Sequence, residues 1–236
     1  MRKKFYIGTS GWMYDWNPDG FDWFIKHSGL DTVELNASFY RFPYPNQVKS
    51  WFRKTKNLDF RWSIKIHMSI SHRRLLSNEA LAIWDKFYNL FKPLDSKISF
   101  YLLQMPPRFI RSERNMSKIR MFVEYTGLGY RLAIEFRHPS WFNRGAVDYI
   151  RRLEVTYVSV DSPDTYFIAA SGPYAYLRMH GRTFWYAHNY TYDELAEVVR
   201  DLSNLDVDEV YVYFNNNHDM LNNARLMKDI ISRNLT

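Results

Sequence analysis

Eight short segments of the chain combine β-branched and aromatic residues with alternating polar and apolar positions, the pattern of half-buried strands. They are Phe5–Ser10, Thr32–Ser38, Arg61–His67, Ile98–Gln104, Arg131–Arg137, Val155–Asp161, Tyr174–His180 and Glu209–Asn215. Between most of them the apolar spacing changes to that of a helix with one buried stripe. Gln47–Lys56, Asn78–Phe91, Lys118–Tyr125, Ala146–Leu153, Tyr192–Leu205 and Asn223–Ile231 read this way. Thr191 stands three residues before Glu194, the spacing of a capping box, so a helix is predicted to start at Tyr192.

The order is strand then helix, repeated. Eight repeats over 236 residues give about 29.5 residues each, the size of one βαβ unit. Such alternation implies a parallel sheet with helices outside, and eight units is the number at which the sheet closes. The expected fold is therefore α/β, a TIM-type (β/α)8 barrel spanning residues 1–236 as a single domain. Ser162–Pro173 is too short and too broken by Pro and Gly for a full helix, so the barrel is expected to be irregular, with its sixth helix short or missing. An open doubly wound sheet would normally carry a glycine-rich phosphate turn after its first strand. Gly8–Thr9–Ser10–Gly11 lacks that spacing.

The alternation also points to a site. If the apolar positions meet the helices, the polar ones face the barrel interior. They are Glu34, Lys65, Glu135 and Arg178, then Asn36, His67, Gln104, Arg137, Asp161, His180 and Asn215, with Ser10 closing the first strand. All fall in the C-terminal halves of their strands, the end at which barrel enzymes build active sites. Buried charge must be paired or meet a ligand. The bland alternative is a plug in which Glu34, Lys65, Glu135 and Arg178 cancel one another.

Composition sharpens this only in part. The formal charge of +7 favours an anionic partner, and 18% aromatic residues with only 9 Gly describe a bulky, linker-poor chain. Cys is absent, which excludes disulfides and thiolate metal sites. No apolar run reaches membrane-spanning length, and MRKKFYIGTSGW lacks the apolar core of a signal peptide, so a cytoplasmic protein is expected.

The motifs GTSGW (Gly8–Trp12), VELNASFYRFP (Val33–Pro43), LLQMPPRF (Leu102–Phe109), IEFRHPSW (Ile134–Trp141), the Asp161–Ser162–Pro163 turn, LRMHGR (Leu177–Arg182) and VYVYFNNN (Val210–Asn217) resemble the YecE-like family, domains of unknown function numbered seventy-two. The resemblance runs from the first strand to the last. It implies a TIM-type barrel, sometimes irregular, and supplies no reaction, substrate or cofactor. Its motifs fall on the interior residues above other than His67, and also on Gly8, Trp12, Tyr40, His72, Pro106, Pro107, Trp141, Gly181, Arg182 and Asn216.

These residues suit an enzyme acting on a small anionic substrate, such as a phosphorylated sugar or nucleotide fragment. Arg137 and Arg178 would clamp the anion through their planar donor forks. Glu34, Lys65, Glu135 and His180 would carry the acid–base chemistry of a hydrolase, lyase or isomerase. Ser10, Asn36, Gln104, Asp161, Arg182 and Asn215 would bind substrate, with Trp12, Tyr40, Trp141 and Trp185 at the rim. No cofactor is expected. Glu34, Glu135, Asp161, His67 and His180 could hold a hard divalent ion, but neighbouring Lys65 and Arg178 disfavour it. Glycoside hydrolysis by Glu34 and Glu135 is disfavoured by the same cations. The alternative is nucleic-acid binding without catalysis, using Arg108–Arg120, His72–Arg74 and the aromatics Trp185, Tyr186 and Tyr190.

Overall fold

The computed structural model describes residues 3–234. Nine strands form one sheet: β1 (Lys4–Ser10), β2 (Thr32–Leu35), β3 (Arg61–Lys65), β4 (Ile98–Gln104), β5 (Leu132–Glu135), β6 (Thr156–Ser162), β7 (Thr165–Phe167), β8 (Tyr174–Met179) and β9 (Glu209–Phe214). Their order is β5-β4-β3-β2-β1-β9-β8-β6-β7, and β5 also pairs with β6, so the eight parallel strands make a TIM-type α/β barrel. β7 lies antiparallel on β6. This short hairpin stands where the sixth helix would be, as the Pro- and Gly-broken sequence predicts.

Seven helices connect the strands among the described residues: α1 (Gly20–His27), α2 (Pro45–Thr55), α3 (Asn78–Phe91), α4 (Glu113–Thr126), α5 (Arg144–Arg152), α6 (Tyr192–Ser203) and α7 (Met220–Asn234). α1 has no counterpart in the periodicity reading. It is only eight residues long and buries just Phe21 and Phe24, too few positions to show a stripe. α4 starts five residues before the predicted Lys118 because Ser112 caps it, its hydroxyl accepting from the Asn115 amide. The capping box at Thr191 and Glu194 is present.

The chain divides into two compact units. Unit 1 runs to Glu34 and resumes at Val158. In it β2, β1, β9, β8 and β6 pair in parallel. α6 buries Leu195, Val198, Val199 and Leu202. Unit 2 comprises Leu35–Tyr157. There Trp84 of α3 packs edge-on against Tyr101 of β4 (5.4 Å) and against Phe122 of α4 (5.7 Å). These aromatics mark the helix-covered face of β4.

Candidate functional site

Unit 1 buries an ion pair. Register aligns Ser10 of β1 with Glu34 of β2, and Gly8 with both Thr32 and Tyr213. Residues aligned in this way share a face. Glu34 Oε1 accepts from Ser10 Oγ (2.7 Å) and Arg178 Nη2 (2.7 Å). Its Oε2 accepts from Tyr176 OH (2.8 Å) and Arg178 Nε (2.9 Å). Both carboxylate oxygens are thus committed, in a bidentate pair whose two side chains are fully buried. For these two residues the pairing alternative describes the structure better than a free acid and a free anion clamp.

Asp161 does not share this face, which corrects the alternation reading. Val160 aligns with Arg178, and Asp161 with Met179. The valines of β6 therefore point the way Arg178 points, and Ser159 and Asp161 point the opposite way. Ser159 bonds the Ala169 carbonyl there (2.9 Å). Asp161 Oδ2 accepts from Arg182 Nε (3.0 Å), and Arg182 Nη1 donates to Glu197 Oε2 of α6 (2.7 Å). Asp161 Oδ1 is buried without a hydrogen-bond partner among the described residues. Burial pushes the Asp161 carboxyl above its usual range, with Arg182 opposing the shift. Asp161 and Arg182 anchor the segment between β8 and α6.

That segment covers His180. The His180 ring is fully buried and lies 5.4 Å from Trp185 and 5.6 Å from the edge-on Tyr186. Asn215 Nδ2 lies 3.1 Å from its Nδ1. Trp185 Nε1 donates to Asp164 (2.9 Å) and His188 Nε2 sits 3.1 Å from Glu194. Tyr190 OH accepts from the Gly181 amide (2.9 Å), and Asn223 ties Tyr190 to Asn216. Single-residue polarity gave no sign of this network of Tyr190, Asn216 and Asn223, because it joins residues up to 33 positions apart.

Unit 2 gathers positive charge. Lys65 aligns with Leu102, and Gln104 with Glu135, so all three polar residues stand on the face opposite Tyr101. Glu135 is buried and pairs with Arg137, just past β5 (2.9 Å). Lys65 Nζ lies 4.3 Å over the ring of Phe39. His72 meets the same ring edge-on (4.9 Å), and Arg108 donates to the His72 carbonyl. Burial and the positive fields of Lys65, Arg108 and Arg137 outweigh Glu135 and bring the His72 imidazole down from 6.5 to about 4. Sequence polarity alone did not single out His72 or Arg108 for this cluster. By residue type, His72–Arg74 and Arg108 enter only as basic runs of the nucleic-acid alternative.

A pH dependence follows. Because the folded imidazole binds its proton more weakly than the unfolded one, the unfolded state takes up protons first as pH falls. Stability is therefore expected to decrease from about pH 6.5 towards about pH 4, and His72→Gln to flatten that part of the profile. Urea unfolding across this range measures it.

The remaining predicted residues divide between surface and core. Asn36 opens the Ala37–Phe39 turn with its Oδ1 buried and without a hydrogen-bond partner among the described residues, and Tyr40 is 67% exposed. His67 sits 3.3 Å from the Tyr40 carbonyl. Trp141 is corrected from rim to core. It is fully buried, stacks on Phe136 at 4.0 Å and donates to the Phe109 carbonyl (2.8 Å). Trp12 is likewise buried, against Phe21 (4.8 Å). In the basic stretch after β4, Arg111 donates to Asn143 and to the Gly145 carbonyl. Among the described residues no group of three or more His, Asp or Glu is placed to hold a metal ion, and no helix is long and apolar enough to cross a membrane.

With this geometry in hand, comparison identifies the family. Residues 6–235 match the family of proteins of unknown function DUF72. The chain belongs to the DUF72 family. It is similar to a DUF72 protein of Thermotoga maritima at 27% identity, over 97% of this chain and 99% of that one, with a TM-score of 0.85. A DUF72 protein of Enterococcus faecalis superposes with a TM-score of 0.83 at 19% identity, covering 97% and 95% of the two chains. D-psicose 3-epimerase of Clostridium cellulolyticum, whose structure was solved with D-tagatose, superposes with a TM-score of 0.57 at 13% identity over 98% and 97%. That last likeness is one of fold. No curated protein gives a significant match.

Proposed function

We propose that this DUF72 protein is an enzyme acting on a small anionic substrate, of the phosphorylated-sugar or nucleotide-like class, bound at the cationic cluster of unit 2. The observation that carries the reading is the gathering of three cationic side chains, Lys65, Arg108 and Arg137, about His72 and Glu135. A phosphate or carboxylate oxygen brought there would meet the Arg137 fork and the Lys65 ammonium. Glu135, held at 2.9 Å by Arg137, is the carboxylate positioned for proton transfer. Glu34 is left out of this chemistry because its four hydrogen bonds within unit 1 already occupy both oxygens. The neighbouring fold of sugar epimerases fits a carbohydrate-like substrate but does not select the reaction.

Thermal-shift screening with phosphorylated sugars and nucleotides tests the proposal. A ligand at a hundred times its dissociation constant stabilises by about 2.7 kcal/mol. For a chain of this size that raises the melting temperature by roughly 5–10 °C. Arg137→Ala is expected to abolish the shift. A panel in which no anion stabilises wild type more than Arg137→Ala refutes the proposal. Oligonucleotide binding that survives Arg137→Ala and weakens steeply with salt would favour the basic stretch at Arg108–Arg120 instead.

A further inference from the structure

The segment carrying His72 has a backbone that ordinary folding does not favour. Ser69–Arg73 form a π-helical turn, a geometry rare in proteins and concentrated at functional sites. Two residues further on, Leu75 and Leu76 both adopt the left-handed region, with φ of 45° and 57°. A branched side chain resists that conformation, and two in succession persist only where surrounding structure over-determines them. Leu76 is fully buried and its amide bonds the Ile70 carbonyl (3.1 Å), which closes the turn. The consequence of this costly backbone is the placement of one side chain. His72 is held at three points: its carbonyl by Arg108, its ring edge by Phe39, and its Nδ1 by Ser71 Oγ at 2.8 Å. The Ser71 hydroxyl is itself buried. Nε2 has no hydrogen-bond partner among the described residues and is not sealed from solvent.

We infer that His72 is a further ligand-binding residue of the unit 2 cluster, its Nε2–H donating a hydrogen bond to an oxygen of the bound anion. This rests on the anionic-substrate reading and adds a neutral donor to the Arg and Lys charges. The role requires Ser71 Oγ to donate to Nδ1, which leaves the ring proton on Nε2. Burial and the surrounding cations keep the imidazole neutral at physiological pH, so it acts as a fixed dipole without net charge. A neutral donor suits a site already rich in cations, because it adds a directed bond to the anion without adding like charge beside Lys65 and Arg137.

The test uses the full chain labelled with nitrogen-15 and inorganic phosphate as the probe. Imidazole and guanidinium nitrogens are followed by NMR at pH 7. His72 is expected to show the Nε2–H tautomer in the free protein. Phosphate should shift His72 Nε2 and Arg137 Nε with one common midpoint. His72→Phe should weaken phosphate binding about tenfold, the loss of one hydrogen bond to a charged group. His72→Gln, which retains an amide donor of similar reach, should recover part of it. Phosphate that moves Arg137 at the same midpoint in wild type and His72→Phe, with His72 Nε2 unmoved, overturns the inference and leaves the anionic reading standing. Phosphate that moves neither His72 nor Arg137 overturns both. The wild-type measurement decides even if a variant folds poorly.

Discussion

Replacing Arg178 with methionine is expected to cost about 3–5 kcal/mol of stability, the usual penalty for stranding one member of a buried ion pair. Glu34 would keep the Ser10 and Tyr176 hydroxyls but lose both guanidinium bonds. Two hydroxyl donors do not offset the desolvation of a carboxylate that is fully buried. Glu34→Gln combined with Arg178→Met removes both charges and should be more stable than Arg178→Met alone, since the pair itself contributes much less than its disruption costs. Urea unfolding of wild type, Glu34→Gln, Arg178→Met and the double variant measures this. A cost below about 1 kcal/mol for Arg178→Met would mean that the pair behaves as a solvated one.

How much of this was legible in the sequence depends on how local the determining contact is. The strands were readable because their alternation and bounding turns are local; β4 occupies the predicted Ile98–Gln104 without change. Glu135 and Arg137 could each be judged interior, but the alternation gives them separate roles and their pairing comes from the structure. Glu34 and Arg178 could each be judged interior, but their union across 144 residues is a matter of strand order and register. β6 shows where pattern fails. In Thr-Tyr-Val-Ser-Val-Asp-Ser the two faces differ in polarity, yet either can face inward, since barrel interiors accept branched apolar side chains readily. The β7 hairpin settles the question by offering the Ala169 carbonyl to Ser159 on the outer side. Trp141 was misplaced for a similar reason. An aromatic residue past a strand end is equally suited to a rim and to a core, and the Phe136 ring decides for the core. The π-turn at Ser69–Arg73 has no sequence signal, because its register is set by the buried Leu76 and by Arg108 from a distant loop.

Gly8→Ala is expected to be the second most damaging single change, although it adds one methyl group to a strand. The φ of Gly8 is not in the left-handed region, so backbone preference is not the cause. The cause is proximity. A Cβ at Gly8 would lie 2.3 Å from the Thr32 carbonyl oxygen and 2.8 Å from the Thr32 carbonyl carbon and Cγ2. The obstacle is mostly backbone, and it is pinned: Thr32 Oγ1 lies 2.8 Å from the Tyr213 hydroxyl, and β2 continues in register through Val33 to Glu34. β2 can move aside only by loosening the ladder that holds Glu34 against Ser10 and Arg178. Overpacking of this kind costs about 1–3 kcal/mol and occasionally more. The lower entropy of the unfolded alanine chain gives back only about 0.4–1 kcal/mol. A net loss of about 1–2 kcal/mol is expected in urea unfolding, and the total loss with Arg178→Met added is expected to be smaller than the sum of the two single losses, because both changes weaken the same Glu34 contacts. Strict additivity would show that β1 and β2 can part at Gly8 without disturbing Glu34. The absence of a side chain at this position is then what brings the two strands close enough for Ser10 to reach the buried carboxylate.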